Sequence, residues 1–229
     1  MAITIDEQAL LRLLQLTSPA LPVGAFSYSE GLETLVVQGH LKDSASLQNW
    51  LLQELRYGGV RLDVAIATRA HQNSQTPDRL TYWNQWLTAS RDTAELRQQS
   101  WQMGRALVRL AQKLHPELQP TFQGCGSPCN FAVAFGILAA HWHIDVHTMA
   151  LGYLQSWAAN LIGAAVKLVP LGQTDGQLCL LQLIPELGTA AEGILQLADD
   201  ELYVRGWGGA IASMHHETLS PRLFRGCAV

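Results

Sequence analysis

Three histidines, His141, His143 and His147, fall within seven residues, and two cysteines, Cys125 and Cys129, precede them. Imidazole and thiolate together make a nitrogen and sulfur set suited to nickel, copper or zinc. The spacing works against such a site. On one continuous helix His141 and His143 point about 160° apart, so only His143 and His147, at i and i+4, can share an ion. The three residues between Cys125 and Cys129 also exceed the two-residue spacing usual in thiolate clips. The alternative places these histidines at a helix junction, with Asp145 capping the next helix and the imidazoles bonded to backbone or water. We adopt it, and with it no metal ligand is assigned. His215 and His216, adjacent in sequence, face apart on a helix and are treated alike.

Catalytic signatures are missing elsewhere. Lys42, Lys113 and Lys167 are the only lysines, and Asp, Leu and Leu follow them, so there is no Gly-Lys-Ser/Thr phosphate loop. His216-Glu217 opens like a metalloprotease helix, yet Ser220 stands where the second histidine belongs. No Gly-x-Ser-x-Gly elbow occurs. The Gly206-Trp207-Gly208-Gly209 stretch has neither a strand before it nor dinucleotide-binding spacing. Asp199, Asp200 and Glu201 read as a solvated helix end. No catalytic residue and no cofactor follows from this chemistry.

The elements that would have to position these groups read as helices. Leucine supplies 37 of 229 residues and glutamine 19, and no sustained alternation of β-branched and polar residues marks a strand. The expected fold is all-α, a single-domain bundle (1–229) of nine or ten helices with a mobile C-terminal tail from about Ser213. The first helix spans about Asp6 to Leu16 and stops at Ser18, Pro19 and Pro22. A short helix follows from Ser29 to Gly39. A long one opens at Ser44 or Ser46 and bends at Gly58-Gly59, and another starts at Pro77. Thr93 to Leu114 is strongly amphipathic, with Leu96, Met103, Leu107 and Leu110 inward and Arg97, Arg105 and Arg109 outward. QPTFQGCGSPCN reads as a loop. One or two helices, separated near Pro185, lie between Asp175 and Asp200, and a last one covers Ala210 to His216.

Charge is scarce. Only 15% of residues are Asp, Glu, Lys or Arg, against roughly 25% in an average soluble domain. A net charge of -4 with no basic run excludes a phosphate-binding nucleic-acid surface, and 48% hydrophobic residues exclude disorder. Val146 to Thr174 holds one formal charge, Lys167. A membrane span is weighed here and set aside, because Ser156, Asn160, Gly163 and Lys167 fall on one line of a helix whose remaining faces are apolar. That pattern describes a nearly uncharged central helix of the bundle. Asp6 and Glu7 stand where a signal peptide carries positive charge, so a cytoplasmic chain is expected, with Cys125, Cys129, Cys179 and Cys227 as free thiols.

Four ordered blocks carry a resemblance. Ser18 to Glu33, SPALPVGAFSYSEGLE, resembles the signature of the urease accessory protein F family (UreF). Glu95 to Leu107, ELRQQSWQMGRAL, is similar to that family's Met-Gly-Arg helix, Val166 to Gln177 to its central helix exit, and Ser213 to Arg225, SMHHETLSPRLFR, to its tail. Gly226 to Val229 extend past the usual end of that tail, and neither the Cys125 to Cys129 loop nor the histidine cluster belongs to the family pattern. The resemblance implies an all-α, homodimeric, non-enzymatic cytoplasmic chaperone without nucleic-acid or membrane partners. It implies assembly with an accessory protein of the D/H type, with the nickel-carrying GTPase of the G type, and with apo-urease, regulating the GTPase during nickel insertion. Partner contacts are then expected from Phe26, Tyr28, Lys167, Ser213, Met214, His216, Glu217, Arg222, Leu223, Phe224 and Arg225, since aromatic, aliphatic and guanidinium groups are enriched at interface centres. Two other readings compete with it: an all-α metal-binding protein or metalloenzyme built on His141, His143 and His147, and a helical ligand-binding module.

Overall fold

The computed structural model describes residues 6–225. Among them the chain forms eleven α-helices and no strand. These are α1 (Glu7–Leu16), α2 (Leu32–Val37), α3 (Ser44–Tyr57), α4 (Gly59–Gln72), α5 (Pro77–Ala89), α6 (Ala94–Leu114), α7 (Gln119–Gly124), α8 (Phe131–His141), α9 (Val146–Leu168), α10 (Gln173–Leu195) and α11 (Trp207–His216). Single 3-10 turns sit at Ala25–Ser27, Pro116–Leu118 and Asp199–Glu201.

Short polar side chains start the helices because the first amides of a helix lack internal partners. Asp43 and Ser46 cap α3 reciprocally. Thr93 accepts from the Leu96 amide at 3.1 Å to open α6, and Asp145 accepts from Thr148 at 2.9 Å to open α9, as expected at that junction. Gly58, with φ -87° and ψ -177°, leaves helical space altogether. The expected bend is therefore a break, and α3 and α4 are separate helices. The N-terminal strip of α6 differs from expectation. Met103 and Leu107 are buried as read, but their neighbours inside are Glu95, Gln99 and Ser100, with Leu96 and Leu110 only half-buried.

The described helices number eleven where nine or ten were expected, and three further expectations fail for identifiable reasons. Pro185 does not separate two helices; α10 runs through it for 23 residues. Proline removes one intrahelical donor, and Pro185 lies on the exposed face, where water can satisfy the freed carbonyl. QPTFQG is helical as α7, with proline in its first turn, where no amide is required. The short helix starts at Leu32, not Ser29, because Glu30 and Gly31 adopt φ of 52° and 85°.

Packing places α8 innermost. Every residue from Ala132 to Ala139 is buried, with α4 and α6 on either side. α9 packs against α4 and α10, and α10 against α3. One contiguous apolar cluster runs from Leu13 to Leu202. Several polar groups inside it are bonded across helices, while the Ser29 and Thr34 hydroxyls, the Trp83 indole N–H, Arg91 Nε and Glu95 Oε2 are buried without a hydrogen-bond partner among the described residues. Asn130, fully buried, donates to the Asn84 carbonyl at 2.9 Å and to Thr88 at 2.8 Å, and accepts from Ser100 at 2.9 Å, tying α5, α6 and α8 together. Buried Arg69 donates to Asp199 at 2.7 Å and to the Leu197 carbonyl at 2.8 Å, fixing the chain after α10. Cys125, Cys129 and Cys179 are free and buried; Cys227 lies outside the described residues. By length and composition α10 alone among the described helices is long and apolar enough to cross a bilayer.

Gly104, in the Met-Gly-Arg block, has a packing reason. A methyl group there would overlap the Cys129 carbonyl oxygen at the entry to α8. Gly104→Ala is therefore expected to destabilise the chain by about 1–3 kcal/mol, despite alanine's higher helix propensity, as measured by urea unfolding.

Candidate functional site

The tail folds back onto the N-terminal third of the chain at a buried histidine. His216, the last residue of α11, has a fully buried side chain; its Nδ1 lies 2.6 Å from Glu95 Oε1 of α6 and its Nε2 2.9 Å from Glu33 Oε2 of α2. Both carboxylates are nearly dry, with Glu33 6% and Glu95 5% exposed. Glu33 also receives two tail amides, Leu223 N at 2.6 Å and Phe224 N at 3.1 Å. With a carboxylate on each side, both ring nitrogens donate and the ring is an imidazolium. Burial by itself favours the neutral ring, but the hydrogen bonds and charges of Glu95 and Glu33 outweigh it and raise the His216 pKa above 6.5.

Close approach of α2 and α11 makes this geometry possible. Gly31 has φ +85°, and a Cβ on it would lie 2.8 Å from the Ser213 amide nitrogen, so only glycine fits. Ser213 is buried and pairs with Thr93 across 2.9 Å. Beyond α11, the Arg225 amide donates to the Ser27 carbonyl at 2.8 Å. The Phe224 ring is buried, with the Lys167 ammonium 5.8 Å from its centre.

Beside this joint lies a cleft of about 280 Å³, walled by the 16–30 turn and by α4, α6 and α9. The line Ser156, Asn160, Gly163 and Lys167 on α9 faces it. Glu30, Glu54, Asp63 and Asp92 also line it, against one buried cation, Arg91, which forms a short ion pair with Asp63. Glu30 accepts from Gln99 at 2.8 Å and from the Trp157 indole at 3.0 Å, holding the residue in its left-handed backbone conformation. Burial raises the Glu30 pKa and, with the charges of Glu30 and Asp92, lifts Glu54 to about 7. Such a pocket holds a proton near neutrality. No histidine is among its described lining residues.

Known proteins with the same sequence pattern identify the family. The UreF family profile matches residues 41–184. A urease accessory protein UreF from Nostoc sp. is 53% identical over 224 residues, spanning 97% of this chain and 98% of its own length. The chain belongs to the UreF family. Proteins of the same name from Synechocystis sp. and Alkalilimnicola ehrlichii are 50% and 42% identical, each covering more than nine-tenths of this chain. The four blocks thus signalled a likeness that extends over nearly the whole sequence, including the N-terminal turn and tail that lie outside the profile match.

In this UreF chain the expected contact residues gather around the joint but divide by exposure. Phe26 is 66% exposed, Leu223 64% and Met214 49%. Lys167 and Arg225 are exposed as well, and Glu217 and Arg222 partly so. Tyr28, Ser213, His216 and Phe224 are turned inward; the Tyr28 hydroxyl donates to Gln102 at 2.6 Å. Arg222 reaches back to the His216 carbonyl at 3.4 Å. The histidine cluster does not form as spaced in sequence: His143 and His147 are exposed, and His141 meets His115 and Glu117 instead. Glu33, Glu95 and Glu30 were missed as site residues. Each sat in a recognised block, and for Glu33 a carboxylate on the otherwise apolar LETLVV helix was the available signal.

Two outcomes follow. Glu33→Gln removes the charge holding His216 and both tail amides, and is expected to cost about 3 kcal/mol in urea unfolding and to accelerate tryptic cleavage at Arg222. The His216 contribution is complete below pH 6.5 and lost as pH rises through its raised folded value. Glu54, raised from 4.5 to about 7, likewise stabilises the fold below pH 4.5 and loses that contribution as pH climbs through about 7. The urea midpoint should therefore fall less between pH 5 and pH 8 in Glu54→Gln than in wild type; equal falls would refute the assignment.

Proposed function

We propose that this chain is a non-catalytic cytoplasmic chaperone of urease maturation, which assembles with the accessory protein of the D/H type and the nickel-carrying GTPase of the G type, and then engages apo-urease. In this reading it positions the GTPase and governs when nickel is released; the GTP requirement belongs to the partner, since the chain has no phosphate loop. Membership of a urease accessory family supports the reading.

One observation carries it: the tail is fastened by buried groups, Phe224 among them, while Leu223 and the neighbouring Met214 face out. The Glu33, His216 and Glu95 joint fixes the backbone of residues 216–224, and Leu223, Met214 and Phe26 remain exposed beside it. Trp207 and Ile211, at 78% and 50% exposed, extend the same stripe of α11 at i and i+4 spacing from Trp207. Contiguous exposed apolar side chains rimmed by polar groups mark protein contact sites. The inward residues of the block act as supports for that surface. A second exposed stripe on α10, Leu178, Leu181 and Ile184, supports the homodimer.

Phe26→Asp with Leu223→Asp should weaken co-purification with the D/H-type protein by at least about 30-fold, the effect of losing a hot spot worth about 2 kcal/mol, and abolish urease activation in a reconstituted system. Deleting residues 213–229 should do both. Unchanged assembly and activation in both variants would overturn the reading.

A further inference from the structure

At the C-terminal end of α8, two helix ends converge on a cluster that the function above does not use. His115 caps the C-terminus of α6, Glu117 lies in the Pro116–Leu118 turn, and His141 ends α8. Three of their ligand atoms form a near-equilateral triangle: His115 Nδ1 to Glu117 Oε1 is 3.1 Å, His115 Nδ1 to His141 Nε2 3.1 Å, and His141 Nε2 to Glu117 Oε1 3.2 Å. Donors bound at about 2.1 Å to one ion stand ~3.0 Å apart in octahedral and ~3.4 Å apart in tetrahedral geometry. The triangle falls between these values, so one ion can touch all three atoms with little rearrangement.

The geometry points to a divalent transition-metal site of the two-histidine, one-carboxylate kind at His115, Glu117 and His141, taking a borderline ion such as zinc, nickel or cobalt rather than magnesium or calcium. The surroundings fit a cation. The carbonyl ends of α6 and α8 both add partial negative charge there. The side chains are 27%, 59% and 29% exposed for His115, Glu117 and His141, leaving one side open for water or a fourth ligand. A cavity of about 160 Å³, lined by Thr121, His141 and His143, adjoins it. His143 and His147, the pair that sequence spacing favoured, stand outside the triangle.

Trp142 supplies a reporter. Its indole N–H donates to His115 Nε2 at 2.7 Å, so in the free protein the ring carries its one proton on Nδ1. An ion bound to Nδ1 moves that proton to Nε2, with no net release, and the indole contact breaks. Metal binding should therefore alter the emission of Trp142.

The test uses the untagged full-length chain, stripped with chelator and titrated calorimetrically with zinc chloride, nickel chloride and magnesium chloride. One zinc or nickel ion per chain is expected, with a tryptophan emission change that saturates at the same ratio and with no magnesium binding. Glu117→Gln, at an exposed position that leaves the fold intact, should weaken binding at least about tenfold. His115→Ala with His141→Ala should abolish it, with circular dichroism confirming the fold. Binding should persist in His143→Ala with His147→Ala. Absence of saturable zinc or nickel binding in wild type, or loss of binding only in the His143 and His147 variant, overturns the site. Either result is distinguishable from failure of the proposed function, whose contact surface is argued from other residues.

Discussion

A carboxylate taken out of water must be given donors, and the Glu33 carboxylate organises the joint on which the candidate surface depends. It sits 6% exposed on a six-residue helix too short to be stable by itself. Its three donors come from nearly two hundred residues away: the His216 ring and the Leu223 and Phe224 amides. Leaving such a charge unpaired would cost several kcal/mol, so the tail and α2 order each other. Glu95, on the far side of the same imidazolium, brings in α6. One charged triad thus connects the N-terminal turn, the Met-Gly-Arg helix and the C-terminal segment.

The scarcity of charge has a sharper meaning once the charges are located. Of the few present, Glu30, Glu33, Asp63, Arg69, Arg91 and Glu95 are used inside, in ion pairs, hydrogen bonds or the acid-lined cleft. The surface is left with still fewer, and with apolar stripes on α1, α10 and α11. Exposed apolar stripes of this kind mark protein contact sites, which accords with membership of a urease accessory family.

Local signals were legible where local chemistry decides. Asp145 opens α9 because a carboxylate in that position satisfies the first amides, whatever surrounds it. Met103 and Leu107 point inward because their period matches the helix. Pro185 was misread because the cost of a missing donor depends on whether its carbonyl faces water. The helical fate of QPTFQG was misread because its proline and glycine suit a helix's first turn and end as well as a loop.

By itself the sequence determined the helical class, several helix starts and, through four spaced blocks, the family. These rest on periodicity, capping and residue type, which act over a few residues. Tertiary structure alone decided the pairings: Glu33 with His216, Arg91 with Asp63, and His141 with His115 and Glu117 instead of His143 and His147. The reason is physical. A buried charge is satisfied by whatever the packed backbone brings within 3 Å, and the order of residues along the chain does not specify which groups those will be.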